Sequence, residues 1–181
     1  MSKILIEFIG HSGLGKSSAA YFVSSNLKLL GYSAELHRES IKEQFIGEKS
    51  DSNKTPSECR IHDTNLIRKY SSTYDIVVSD TNPFAGYIFG DVDMNTAILE
   101  ANLRYKPFSK VISVLLFPTT DVKISGAGRK ETKVDWDFVE RSEVVLKALI
   151  SSGDNFHTIS VGLDNHLCLS KAEIILNEVK E

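Results

Sequence analysis

The sequence predicts an α/β fold in which a five-stranded parallel sheet carries helices on both faces. Short apolar runs rich in β-branched residues alternate along the chain with stretches of helical periodicity. Strands that alternate with helices form right-handed βαβ units and a parallel sheet. The chain has 181 residues, which is enough to bury one core without disulfides or structural metals. We therefore expect residues 1–181 to form a single domain.

Five apolar runs predict the five strands. The run from Ile4 to Ile9 is nearly continuous, which is typical of a strand buried on both faces of a parallel sheet. The run from Val111 to Phe117 has the same character, and Pro118 closes it. In chain order, the predicted strands cover residues 4–9, 33–37, 75–79, 111–117 and 156–161.

Helical spacing of apolar residues predicts the helices between these strands. The first helix has apolar residues at Ala20, Val23, Leu27 and Leu30, and Gly31 ends it. The predicted helices cover residues 17–30, 57–72, 95–105, 135–151 and 170–180.

Charge and hydropathy exclude some classes of function. The net charge of −3 argues against a protein held on nucleic acid by bulk positive charge. Cys59 and Cys168 lie far apart, without a CxxC motif, so we expect reduced thiols. No apolar stretch reaches about 18 residues, the length needed to span a bilayer. We expect a cytoplasmic protein with no membrane partner, and the sequence leaves a homodimer open.

A glycine-rich segment between the first strand and the first helix predicts a phosphate-binding loop. Residues 10–17 match the pattern G-x-x-x-x-G-K-[ST], and their position between a strand and a helix is the context that this motif requires. The residues that we expect to bind ATP are Gly10, His11, Ser12, Gly13, Leu14, Gly15, Lys16, Ser17 and Ser18.

The chemistry of phosphate binding explains the residue types in this loop. Successive backbone N–H groups replace the water around the phosphates, and the N-terminus of the following helix adds its positive end. Gly10, Gly13 and Gly15 permit tight turns and a close approach of the backbone. Lys16 is expected to reach the β- and γ-phosphates, and the Ser17 hydroxyl is expected to ligate Mg²⁺.

Two acidic residues follow predicted strands. Asp80 ends the third strand, where a carboxylate would lie beside the phosphate loop and supply a second Mg²⁺ ligand, although it could also be a loop or helix-capping residue. Asp75 starts the same strand and lies at the wrong edge. If the strand order is 2-3-1-4-5, Glu39 also reaches the carboxyl edge, where it could accept a proton from an attacking hydroxyl; the alternative is an ordinary acidic residue at the start of a helix. Either Asp80 or Glu39 could serve the acceptor.

Two polar stretches, residues 47–56 and 125–133, are either surface loops or mobile segments over a substrate site. The second contains Arg129 and Lys130 beside glycines that could act as a hinge. Phosphoryl transfer develops charge that a closing arginine can stabilise. Arg129 is therefore the candidate catalytic arginine, with Lys130 second and a solvated basic loop as the alternative.

Other charged and aromatic residues have less specific interpretations. Arg104 and Arg141 lie on predicted helices, and we expect them to be surface charges. Phe84, Tyr87 and Phe89 follow the third strand. They could belong to the core or line an acceptor pocket that stacks a base, and the sequence favours neither alternative.

Taken together, these motifs resemble those of the P-loop kinases, in particular the small nucleoside and nucleotide kinases. The segment from Glu39 to Lys42 looks like the E-x-x-K segment of small phage-encoded nucleotide kinase-like proteins. The segment from Asp80 to Pro83 is similar to their D-[ST]-x-[PL] turn, and residues 128–132 resemble their G-R-x-x-T lid. Bacterial nicotinamide riboside kinases are a weaker match.

This resemblance implies a three-layer P-loop NTPase fold with strand order 2-3-1-4-5 and a small lid at about residues 119–134. It implies an ATP-dependent kinase, with Lys16 and Arg129 on the transferred phosphate and Glu39 near the acceptor. It also implies that Ser17 and Asp80 hold Mg²⁺.

The sequence specifies the phosphate acceptor less closely than it specifies the phosphate donor. The interpretation that we favour is a nucleoside or nucleotide. The alternatives are a non-nucleotide acceptor, a modified base in DNA as the one nucleic-acid substrate, or a nucleotide-binding regulator with little transfer activity. A GTPase is disfavoured, because its N-K-x-D motif is missing and the lone N-K pair is Asn53-Lys54, followed by Thr55 and Pro56.

Overall fold

The computed structural model describes residues 2–10, 14–40, 55–118, 136–150, 156–163 and 169–180. Strands and helices alternate along these segments. The strands are β1 (Ile4–Gly10), β2 (Ala34–His37), β3 (Ile76–Ser79), β4 (Lys110–Pro118) and β5 (Phe156–Leu163). The helices are α1 (Lys16–Leu29), α2 (Pro56–Thr73), α3 (Ala85–Ile88), α4 (Met94–Tyr105), α5 (Trp136–Ile150) and α6 (Leu169–Lys180).

The five strands form one parallel sheet in the order β2-β3-β1-β4-β5. Ile4 pairs with Ile76 of β3 on one side and with Lys110 of β4 on the other, so β1 is the central strand. The predicted fold class and strand order are confirmed. This order places the loop after β1 next to the chain that leaves β3, and β2 lies one strand further out.

Hydrophobic clusters cover both faces of the sheet, as alternate residues of β1 show. Ile6 and Phe8 pack in a cluster with residues of α1 and α6, whereas Leu5 and Ile9 pack with residues of α2 and α4. A strand between two such clusters is apolar at nearly every position, which explains the continuous apolar run in the sequence. Among the described helices, none has the length and hydropathy required to cross a membrane.

The helix α3 was not predicted, because a single turn of four residues has no periodicity to detect. The burial of residues in and around α3 distinguishes between the core and pocket interpretations of Phe84, Tyr87 and Phe89. Phe84 is buried in the core, and half-buried Tyr87 packs against the same cluster. Phe89 is 55% exposed and contacts the ring of Phe138 at a centroid distance of 5.0 Å.

Arg104 is buried, so the prediction that it is a surface charge is wrong. It is 1% exposed, and it lies on the face of α4 that packs toward the sheet with Ala97 and Ala101. Its guanidinium donates to Thr64 Oγ1 at 3.3 Å and to the Thr81 carbonyl at 3.4 Å. These bonds compensate for the lost hydration of the charge. Arg141 is exposed, as predicted.

A buried carboxylic acid, Glu7, lies in the middle of β1. Tyr105 donates a hydrogen bond to Glu7 Oε1, and Ser113 Oγ donates to the same atom at 3.1 Å. The other oxygen, Oε2, has no hydrogen-bond partner among the described residues. Burial raises the pKa of Glu7 from 4.5 to about 7, although the charge of Arg104 and both hydrogen bonds oppose the shift.

This raised pKa makes stability depend on pH. Unfolded Glu7 loses its proton near pH 4.5, whereas the folded protein retains it to about pH 7. The contribution of Glu7 to the free energy of unfolding should therefore fall by about 3 kcal/mol as pH rises through this window. Urea unfolding of the wild type and of Glu7→Gln at pH 5, 6, 7 and 8 measures this contribution as the difference between the two proteins. Parallel pH profiles would contradict the assignment.

Candidate functional site

The phosphate loop begins where β1 ends, and glycine is required at two of its positions. A Cβ on Gly10 would lie 2.4 Å from the backbone oxygen of Leu116, so β1 and β4 can approach this closely only without a side chain. Gly15 has φ 82°, in the left-handed region that favours glycine, and it forms the N-cap of α1. His11, Ser12 and Gly13 lie outside the described residues.

The first turn of α1 has the polarity that an anion site needs. Gly15 provides no side-chain cap, and no acidic residue occupies the first turn. The N-terminus of the helix therefore keeps its positive end toward the loop. Ser17 and Ser18 are exposed there. Leu14 is 8% exposed and packs in the core, so it can contribute to binding only through its backbone.

The Lys16 side chain reaches from the start of α1 back to the end of β1. Its Nζ donates to the Gly10 carbonyl at 2.7 Å, and the residue is half-buried. This bond joins the end of β1 to the start of α1, so both ends of the loop are held together. The ammonium group therefore lies at the loop that its sequence motif assigns to phosphates.

Asp80 joins the loop to the chain that follows β2. Its Oδ2 accepts a hydrogen bond from Ser17 Oγ at 2.7 Å, and its Oδ1 accepts one from the Glu39 N–H at 2.8 Å. Asp80 is 2% exposed and Glu39 is half-buried. The structure therefore brings Ser17, Asp80 and Glu39 together at the carboxyl edge of the sheet. Asp75 lies at the opposite end of β3 and pairs with Lys3 at 3.2 Å.

The adjacent oxygens of Ser17 and Asp80 fit a magnesium ion. Mg²⁺ prefers oxygen ligands, and in phosphate-binding sites it uses one or two protein side chains together with water and phosphate oxygens. A hydroxyl and a carboxylate already in contact at the N-terminus of α1 provide such a pair.

Sequence reasoning missed a second polar cluster behind this edge. Asp63 of α2 accepts hydrogen bonds from the Ser40 N–H at 3.3 Å and from the Ser40 hydroxyl, and its Oδ1 lies 3.3 Å from His37 Nε2. His37 Nδ1 lies 3.2 Å from Ser79 Oγ. Asp63 and His37 are 1% and 2% exposed. The buried face of α2 mixes Cys59 and Ile67 with Arg60, Thr64 and Ser71, so the spacing of apolar residues does not show that Asp63 is buried.

The turn after Asp80 is fixed from two sides. The Thr81 carbonyl accepts hydrogen bonds from Ser79 Oγ at 2.9 Å and from Arg104 at 3.4 Å. Asn82 follows at 2% exposure, and its Oδ1 has no hydrogen-bond partner among the described residues. Arg129, Lys130 and the whole lid segment lie outside the described residues.

Comparisons with known proteins give matches of structure but not of sequence. A scan against models of protein families gives no match. A search of curated protein sequences gives no significant match either.

Two kinases of known structure resemble the chain over almost their whole length. The APS kinase CysC of Mycobacterium tuberculosis, in complex with AMPPNP and APS, matches with a TM-score of 0.57 and 14% identity over 99% of each chain. The thymidylate kinase of Ehrlichia chaffeensis matches with a TM-score of 0.55 and 13% identity over 100% of each chain. The chain therefore has the fold of these kinases, and its phosphate loop follows the central strand of that fold.

Proposed function

We propose that the protein is an ATP-dependent phosphotransferase that moves the γ-phosphate of Mg-ATP to a nucleoside or nucleotide. One observation carries the proposal. The Ser17 hydroxyl, which follows the phosphate-loop lysine, contacts buried Asp80, and the same carboxylate binds the backbone of Glu39. Groups suited to a phosphate donor and a group suited to an acceptor hydroxyl therefore meet at one edge of the sheet.

The donor half of the site consists of the loop, Lys16, Ser17 and Asp80. Backbone N–H groups of the loop and the N-terminus of α1 would bind the phosphates. Lys16 would place its positive charge on the β- and γ-phosphates. Ser17 and Asp80 would hold Mg²⁺, which neutralises phosphate charge and orients the γ-phosphate when bound.

The acceptor half centres on Glu39. Both oxygens of Asp80 already accept hydrogen bonds, from Ser17 and from the Glu39 N–H. We assign the proton from the attacking hydroxyl to the Glu39 carboxylate, because Glu39 follows β2 at the carboxyl edge of the sheet and its N–H bonds to Asp80. Arg129, with Lys130 as the second choice, would stabilise charge on the transferred phosphate, a role that rests on the sequence motif alone.

A nucleoside or nucleotide is the acceptor that the motifs and the fold favour. The sequence motifs resemble those of small nucleotide kinases, and the kinases of similar structure act, by their names, on APS and on thymidylate. A modified base in DNA, another small molecule or a regulatory role is the alternative. The acidic net charge of −3 favours a small acceptor over a long nucleic acid.

A panel of acceptors tests the proposal. We expect one member to raise ADP release from Mg-ATP well above the background with water, because a correctly placed hydroxyl outcompetes water in an oriented site. The panel contains the common nucleosides and their monophosphates, thymidylate, APS, nicotinamide riboside and a duplex DNA with modified bases. Phosphorylated product, detected by mass spectrometry, identifies the acceptor.

The Lys16→Ala protein is the control for this panel, because it should release no ADP with any acceptor. A response to the modified duplex alone would favour the DNA substrate. A flat response with every compound would contradict the transferase and favour a regulator.

A further inference from the structure

The segment that carries Glu39 is anchored at two consecutive backbone positions. The Glu39 N–H donates to Asp80, and the next N–H, of Ser40, donates to Asp63. Asp63 lies on α2 and Asp80 follows β3, so carboxylates from two different elements hold the peptide on each side of Glu39. Fixing a backbone by charge-assisted hydrogen bonds restricts the conformations of the side chain between them.

Asp63 lies beside a second buried group, His37, whose Nε2 makes no hydrogen bond among the described residues. Asp63 Oδ1 lies 3.3 Å from His37 Nε2, at the end of β2. On the other side of its ring, His37 Nδ1 lies 3.2 Å from Ser79 Oγ, whose hydroxyl donates to the Thr81 carbonyl. The cluster formed by Asp63, His37 and Ser79 thus joins α2, β2 and β3 behind the site.

The bonds of the Ser40 hydroxyl argue against a role for this residue in the chemistry. The hydroxyl donates to Asp63, and His37 contacts Asp63 rather than Ser40 Oγ. A nucleophilic serine would need a base on its hydroxyl, with the carboxylate behind that base. The arrangement instead fits a carboxylate that accepts bonds to fix a backbone.

We propose that Asp63 is a positioning residue, which holds the backbone of residues 39 and 40 so that the Glu39 carboxylate faces the acceptor. The proposal rests on the proposed function, because it assigns Glu39 to the acceptor hydroxyl. Asp63 is 1% exposed and acts through the hydrogen bonds that it accepts from Ser40. A displacement of about 1 Å at a reacting group can cost about 100-fold in rate, so a structural anchor of this kind has a measurable effect.

The first test needs no substrate. Loss of a hydrogen bond to a charged group should speed amide hydrogen exchange at Ser40 by at least about tenfold. We expect this in Asp63→Ala and a smaller increase in Asp63→Asn, which keeps one acceptor oxygen. Ser71→Ala is the matched control, because Ser71 is a buried hydroxyl on the same helix, and within the described part of the chain it bonds to the Arg68 carbonyl alone. Unchanged exchange at Ser40 in both Asp63 variants would overturn the proposal.

The second test is a double-mutant cycle with Glu39→Gln. The reaction is followed with Mg-ATP and thymidylate, or with APS if thymidylate is not phosphorylated. If Asp63 acts through Glu39, Asp63→Ala should lower kcat about 10- to 100-fold with little change in the KM for ATP. In the Glu39→Gln protein, Asp63→Ala should then lower kcat little further. Effects that multiply in the double variant would overturn the positioning role.

The outcomes separate the two proposals. If Glu39→Gln has wild-type kcat, the role of Glu39 in the proposed function fails and the positioning role fails with it. If Glu39→Gln lowers kcat but Asp63→Ala does not, only the positioning role fails. Should Asp63→Ala not fold, Ser40→Ala removes the hydroxyl bond to Asp63 alone, and the same cycle is run with that variant. Additive effects there would again overturn the proposal.

Discussion

Replacing Lys16 with alanine should lower kcat for ATP turnover about 1000-fold or more while the protein stays folded. The ammonium group is the positive side chain that the loop motif assigns to the β- and γ-phosphates, and charge develops there in the transition state. Its bond to the Gly10 carbonyl, from a charged donor, is worth about 1.5–3 kcal/mol to folding, less than the free energy of unfolding of a typical domain. ADP release and the thermal unfolding midpoint, measured on the same preparation, separate the two effects.

Lys28→Ala is the matched control for this variant. Lys28 lies in the last turn of the same helix, is exposed, and pairs with Glu35 at 3.4 Å. Its removal should leave turnover unchanged, because an exposed pair contributes little and lies away from the loop. Wild-type turnover in Lys16→Ala would contradict the assignment of the loop as the phosphate site.

Replacing Asp80 with asparagine should lower kcat about 100-fold or more and raise the Mg²⁺ concentration needed for half-maximal rate. The substitution preserves size and one acceptor oxygen for the Glu39 N–H, so it removes mainly the negative charge beside Ser17. A neutral amide oxygen is a poorer ligand for a hard divalent cation than a carboxylate. Initial rates across a magnesium titration measure both quantities.

The control for Asp80 is Asp75, which lies at the other end of the same strand. Asp75→Asn removes the same charge from the opposite edge of the sheet, where Asp75 pairs with Lys3. We expect its rate to stay within about twofold of the wild type, since this half-buried pair lies at the opposite edge of the sheet from the loop. Equal losses in both variants would show that net charge, rather than position at the loop, governs the rate.

The fold could be predicted because its signals are local and consistent. Buried parallel strands produce continuous apolar runs, which the sequence shows directly. The order of the strands is not a local property, and its prediction came from the resemblance to P-loop kinases. The short helix α3 escaped detection, since four residues cannot display a period of 3.6.

The candidate site was predictable to the extent that its residues lie at strand ends. Asp80 and Glu39 each follow an apolar run, and parallel strands bring their carboxyl ends to one edge. Asp63 and Arg104 lie inside helices, where a charged residue is usually at the surface. Their partners are distant in sequence: the bond from Ser40 to Asp63 spans 23 positions and the bond from Arg104 to Thr64 spans 40. The pair of alanines at positions 97 and 101 was the one local sign that Arg104 shares a buried face.

The position of Asp80 between two partners has a thermodynamic consequence. Its Oδ2 accepts a hydrogen bond from Ser17 in the proposed donor site, and its Oδ1 accepts one from the backbone of Glu39, the residue proposed to face the acceptor. Any shift of Asp80 on binding of Mg-ATP is therefore passed to residue 39. Linkage requires the reverse effect to be equal, so an acceptor that binds beside Glu39 should change the affinity for Mg-ATP by the same factor. The two substrates would then be ligands coupled through one carboxylate, and the affinity for Mg-ATP measured with and without acceptor gives the coupling factor.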